Sequence, residues 1–237
     1  AMVQVETNAP VSSVISNGVL SVMLPASADT LLWSGMATFA AGPSSVFLVD
    51  FGRHDGGING DITTNPDLNG NYWNNIGPTT QAVSNGTKIA NMVNVANGAS
   101  TLGIEMITDG WEANGILNGG LLAPSSALLG ELAITNATKD YFFTTVSPSF
   151  RISGLETNRT YDLTFFGTRE TTTTRITTYT VGAISTNLQT SGTAIGDGGY
   201  NGNNNKTVTL SDLVPNASGQ IDVTLSVNAG GFAYLGI

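Results

Sequence analysis

Apolar and polar residues alternate with a period of two along much of this chain. In Ile221-Asp222-Val223-Thr224-Leu225-Ser226-Val227, four apolar side chains share one face and three polar ones share the other, the mark of a half-buried antiparallel strand. Val208 and Leu210 alternate with Thr207 and Thr209. Tyr161, Leu163 and Phe165 alternate with Asp162 and Thr164, and Leu102, Ile104 and Met106 form another such set. The apolar-rich run Val46–Phe51 predicts a strand buried on both faces. Further strands are expected over Val11–Ile15, Val19–Leu24 and Leu31–Phe39, with Trp33 in the core. No window keeps a 3.6-residue stripe for three turns. One short helix is expected within Leu121–Leu132, where Ser125 and Ser126 precede an apolar stretch.

The breaks between these runs are turn-like. Asn17-Gly18 predicts a tight hairpin, because Asn-Gly accepts positive φ at both central positions. Asn158-Arg159, Pro215-Asn216 and Asn228–Gly231 read as turns. Two segments, Gly52–Pro78 and Gly192–Asn205, are long and polar. Loops of that length are often functional or ordered by a metal ion. About ten strands, little helix and no linker predict an all-β fold: one antiparallel β-sandwich of jelly-roll type with long polar loops, spanning residues 1–237.

Composition narrows the function. Of 237 residues, 41% are hydrophobic and only 11% charged, and the net charge is −9. Polarity comes from 29 glycines, roughly two dozen asparagines and about thirty threonines. Eight basic residues are too few for a phosphate-binding surface, which argues against nucleic acid. No apolar run is long enough to span a membrane, and without cysteine no thiol or iron–sulfur chemistry is available. Low charge with abundant Asn, Thr, Ser and Gly fits a secreted bacterial protein. Ala1-Met2 reads as a cloning remnant before a trimmed mature sequence.

Candidate chemistry is sparse. His54 is the only histidine, and no Gly-x-Ser-x-Gly elbow accompanies it, so a Ser–His–Asp triad is not expected. Glu105, Asp109 and Glu112 are the carboxylates a glycoside hydrolase or lyase would use, although their spacing departs from the alternation that sets two carboxyls across one strand face. Asp55, Asp61 and Asp67, set among glycines and asparagines, are the candidate ligands of one structural Ca2+. Arg169 and Arg175 flank a five-residue connection, and two like charges at neighbouring strand ends need an acid, a carbonyl or a ligand between them. Trp73, with Asn74 and Asn75 beside it, has the composition of a sugar platform: an apolar face for C–H groups and amides for hydroxyls. Trp111 and Tyr200 are further aromatic candidates.

Leu48-Val49-Asp50-Phe51-Gly52 followed by Trp73-Asn74-Asn75-Ile76 resembles the start of a β-sandwich module of secreted bacterial proteins. The resemblance continues through Phe150–Leu155, Tyr161–Arg169, Arg175, Tyr179–Gly182 and Tyr234–Ile237, covering about residues 46–237 and leaving 1–45 outside. Where that closing motif often has Asn, this chain has Gly236. The resemblance implies a non-catalytic carbohydrate-binding module, fused to or acting beside a polysaccharide-degrading enzyme. It also implies that Trp73, Asn74, Asn75, Arg169 and Arg175 cluster at one end of the sandwich. The expected partner is a plant or algal polysaccharide. A hydrolase or lyase and a cell-surface adhesion or structural domain are the alternatives.

Overall fold

A computed structural model describes residues 45–237 together with two strands nearer the start, β1 (Ser12–Ser16) and β2 (Val19–Met23). Trp33, the Leu31–Phe39 run and the Asn17-Gly18 turn lie outside the described residues. The chain divides into two compact units, 1–45 and 46–237. In the first, β1 and β2 pair antiparallel with Ser16 opposite Val19.

The second unit is all-β and mostly antiparallel. Its strands are β3 (Leu48–Phe51), β4 (Trp73–Ile76), β5 (Ala82–Val83), β6 (Lys88–Ile89), β7 (Gly103–Met106), β8 (Trp111–Asn114), β9 (Tyr141–Thr144) and β10 (Ser149–Ser153), then β11 (Tyr161–Phe165), β12 (Arg175–Val181), β13 (Ile184–Ser191), β14 (Val208–Leu213), β15 (Ile221–Ala229) and β16 (Ala233–Leu235). Two one-turn helices, α1 (Ser126–Leu129) and α2 (Thr135–Thr138), precede β9. The first falls inside the segment expected to hold a helix.

One layer is a six-stranded sheet in the order β13-β12-β15-β10-β7-β6. Opposite it lie the four-stranded sheet β16-β9-β8-β5, the pair β11-β14 and the parallel pair β3-β4. Main-chain bonds through the last two residues join these three smaller sheets. Phe51 N–H donates to the Gly236 carbonyl at 2.8 Å, Gly236 N–H to Phe166 at 2.9 Å, and Phe166 N–H to Ile237 at 2.8 Å. Between the layers sits an apolar core of Phe51, Met106, Trp111, Phe142, Phe150, Val223, Leu225 and Leu235, among others. Burial of this kind stabilises by about 25 cal/mol per Å2 of apolar surface.

The outward face of the six-stranded sheet is polar throughout, as period-two patterning requires. Lys88, Glu105, Arg151 and Asp222 stand opposite one another across β6, β7, β10 and β15, a row of alternating charge. Arg151 grips Asp222 through two bonds of 2.7 and 2.8 Å. One sequence expectation needs correction: the Gly52–Pro78 segment is not all loop, because Trp73–Ile76 forms β4. The Val46–Phe51 run forms the buried strand β3, which pairs with β4 and carries the buried Asp50.

Candidate functional site

Trp73 does not face solvent. Its residue is 1% exposed and packs with Leu48, Leu121, Leu129, Ile134, Phe166 and Ile237. The indole Nε1–H donates to Asp67 Oδ2 at 2.7 Å. An indole enclosed on both faces has no surface left for a sugar ring, so the expected platform is corrected to a loop anchor. Asn74 is likewise buried: its amide donates to the Leu48 and Val93 carbonyls, and its Oδ1 accepts the Val93 N–H. Asn75 accepts the Thr63 N–H and donates to the Thr63 carbonyl. Asn75 thus staples the long polar segment to β4, and Asn74 ties β4 to β3 and to the chain at Val93. Trp111 is 2% exposed and belongs to the central core, its ring tilted against those of Phe142 and Phe150, and is not a surface aromatic either.

The three candidate metal ligands are held apart by separate duties. Asp55 accepts from the Asn59 and Gly60 N–H groups and the Asn59 amide, and pairs with Arg53 at 2.9 Å. Those bonds hold its carboxyl below the ordinary range although burial opposes them. Asp67 takes the Trp73 indole and two loop N–H groups. Asp61 caps the N–H of Ile62. Among the described residues, no three His, Cys, Asp or Glu side chains gather around a common point.

The carboxylates considered for catalysis are also dispersed. Glu105 sits in the charge row of the six-stranded sheet, Glu112 on β8 of the opposite layer receives the Gln81 amide, and Asp109 is on an exposed turn. His54 is half-buried, and desolvation lowers its pKa.

The arginines do come together. Arg169 follows β11, and Arg175 opens β12 at a double irregularity, where the register shifts against β13 between Arg175 and Ile176 and against β15 between Ile176 and Thr177. Bulges of this sort bend a strand and re-aim the side chain beside them. The Arg175 guanidinium lies 4.5 Å from the Phe232 ring centre and 5.6 Å from that of Tyr234, and donates to the Tyr234 hydroxyl. Tyr141 and Phe143, alternate residues on β9, complete an aromatic patch with Tyr234 and Phe232 on the side of the strand away from the main core. The Tyr141 hydroxyl donates to the Asn118 carbonyl at 2.7 Å and lies 3.4 Å from a guanidinium nitrogen of Arg169.

Among the described residues, no acid pairs with either arginine: the ion pairs are Arg53–Asp55, Arg151–Asp222 and Arg159–Glu156. Burial lowers the Arg175 pKa, and the Arg169 charge lowers it further. Four buried polar atoms at this place have no hydrogen-bond partner: Arg169 Nε, Arg175 Nε, the Thr168 hydroxyl and the Tyr200 hydroxyl. Buried polar atoms are nearly always satisfied, so an accumulation of orphans marks a surface prepared for something else. Burial pushes the Tyr200 and Tyr141 phenols up to about 12, so both remain hydrogen-bond donors at any ordinary pH. Sequence reasoning singled out Arg169, Arg175 and Tyr200 but missed Thr168, Tyr141, Phe232 and Tyr234, whose patterns are those of ordinary strand residues. The chain matches no known family, no curated protein and no solved structure.

Proposed function

We propose that the 46–237 unit is a non-catalytic carbohydrate-binding module for a polysaccharide bearing anionic groups, such as sulfate esters or uronate carboxylates. The observation that carries this reading is the Arg169–Arg175 pair, two guanidiniums held together with orphan N–H groups and, among the described residues, no carboxylate paired to either. Guanidinium forks bind sulfate and carboxylate through paired, charge-assisted hydrogen bonds. Phe232 is the half-exposed aromatic ring beside Arg175, suited to the C–H face of a sugar. The resemblance to modules of polysaccharide-degrading systems supports the same reading, with a plant or algal polysaccharide as target. Its low-charge, Asn- and Thr-rich composition supports a place outside a bacterial cell, beside or fused to a degrading enzyme.

A module of this kind works by raising the local concentration of its partner enzyme on the polymer, so modest affinity suffices. A dissociation constant in the millimolar to micromolar range, about −4 to −8 kcal/mol, is expected. Affinity electrophoresis through gels containing neutral or anionic polysaccharides tests the proposal. Sulfated galactans or uronans should retard the protein more than neutral glucans do. Arg169→Gln and Arg175→Gln should each weaken retardation about tenfold or more, the worth of one charge-assisted hydrogen-bonding group. Equal mobility in all gels, or unchanged retardation of the double variant, refutes it.

A further inference from the structure

On the opposite side of the β3 strand from solvent, two carboxyl groups meet in the interior. Asp50 on β3 is 0% exposed and Asp140, the residue before β9, is 1% exposed. Asp50 Oδ2 accepts the Thr63 N–H at 3.2 Å and the Thr63 hydroxyl at 2.8 Å, whereas its Oδ1 and both oxygens of Asp140 have no hydrogen-bond partner. The main-chain N–H groups of Arg53 and Asp61 lie near Asp140 but do not reach bonding geometry. Lys139 is the adjacent cation: its ammonium donates to Asn136 Oδ1 at 2.7 Å, and its charge offsets part of the burial cost of both carboxyls.

Three glycines close around Asp140. A methyl group at Gly52 would collide with the whole carboxyl, one at Gly60 with Oδ2 and with the Arg53 carbonyl, and one at Gly115 with the Asp140 β-carbon. The chain thus brings three bare stretches of backbone against one acid and leaves three carboxylate oxygens of the pair without a well-formed hydrogen bond. Two ionised carboxylates in such a place repel each other across a poorly screening interior and have lost their water.

We propose that Asp50 and Asp140 form a binding site for one hard divalent cation of the calcium class. Asp50 Oδ1 and the Asp140 carboxylate supply the charged ligands, and the Arg53 carbonyl, which flanks Gly60 together with Asp140 Oδ2, is a neutral oxygen in position to join them. The ligand atoms are all oxygen, which selects hard cations over zinc or copper. This site is distinct from the Asp55, Asp61 and Asp67 set suggested by composition, and it is independent of the arginine cluster.

The test uses the full chain stripped with chelator and then titrated with Ca2+ or Mg2+ by calorimetry and thermal unfolding. One Ca2+ per chain should bind, and at a hundredfold excess over Kd the Tm should rise by about 5–10 °C. Asp140→Asn and Asp50→Asn should each abolish that rise, whereas Asp55→Asn and Asp61→Asn should keep it. Should the interior variants fail to fold, the wild type still reports. Absence of uptake, uptake without a rise in Tm, or uptake that survives both interior substitutions overturns the proposal.

Discussion

Trp73 shows how one residue type supports opposite readings. A tryptophan among asparagines has the composition of a ligand platform and also of an anchor that pins a long loop, and only its enclosure by Leu48, Phe166 and Ile237 decides between them. The sequence does not reveal this because its neighbours are polar in β4 for a local reason: Asn74 and Asn75 spend their amides on the main chain of Val93, Leu48 and Thr63. Trp73→Ala should therefore cost about 3–5 kcal/mol in denaturant unfolding, the range for emptying a large aromatic site. Trp73→Phe keeps most of the packing but leaves Asp67 Oδ2 without its indole donor, and should cost about 1–3 kcal/mol. In neither case should sugar binding by the folded fraction change, which separates an anchor from a platform.

At the scale of elements, the two layers are joined by polar bonds as well as by apolar contact. Thr177 and Tyr179 lie on the inner face of β12, and both reach Tyr234 of β16 in the other layer. The Thr177 hydroxyl accepts the Tyr234 N–H at 2.8 Å, and the Tyr179 hydroxyl donates to the Tyr234 carbonyl at 2.6 Å. Thr177→Val keeps the shape and strands a buried N–H, so a loss of about 1–3 kcal/mol is expected in equilibrium unfolding, with Tyr179→Phe similar through the stranded carbonyl. Neither Thr177 nor Tyr179 was singled out as an inward residue by the pattern. Their shared partner was not legible, since Tyr234 is more than fifty residues away and its pairing is set by how the layers stack. The parallel β3-β4 pair was hidden for the same kind of reason: a connection rich in Gly, Asn and Asp reads as loop, and the pairing depends on Thr63 and Val93 meeting side chains of β4.

The molecule as a whole followed its sequence where burial has a period. Strands β7, β11, β14 and β15 lie where alternation predicted them, and the sandwich follows from having two-faced strands and almost no helix. The acid pair was beyond reach, because Asp50 and Asp140 are ninety positions apart and neither lies in a recognisable ligand pattern. Its electrostatics predict how the whole fold responds to pH. Burial raises both carboxyl pKa values above the usual range, to about 7 for Asp50, and for Asp140, where the Asp50 charge adds to burial, to about 9. An acid that holds its proton more tightly when folded favours folding at low pH. With chelator present, that contribution is complete below about pH 4 and is lost as the pH climbs through the raised values, by up to about 1.4 kcal/mol per pH unit for each group. Urea unfolding at stepped pH should show the decline, and Asp140→Asn should flatten it. A stability that rises between pH 5 and 9 in the chelated wild type would contradict the raised pKa values.

Tyr234 is held at both its amide and its carbonyl by side chains of the facing sheet, while its ring lies beside Arg175. Its amide proton is therefore shielded until the two halves of the sandwich part, and deuterium uptake there acts as a clock for the rarest opening of the unit. A polymer seated on the arginines would stop that clock from the outside, so slower exchange at this single amide would register occupancy without any label on the sugar.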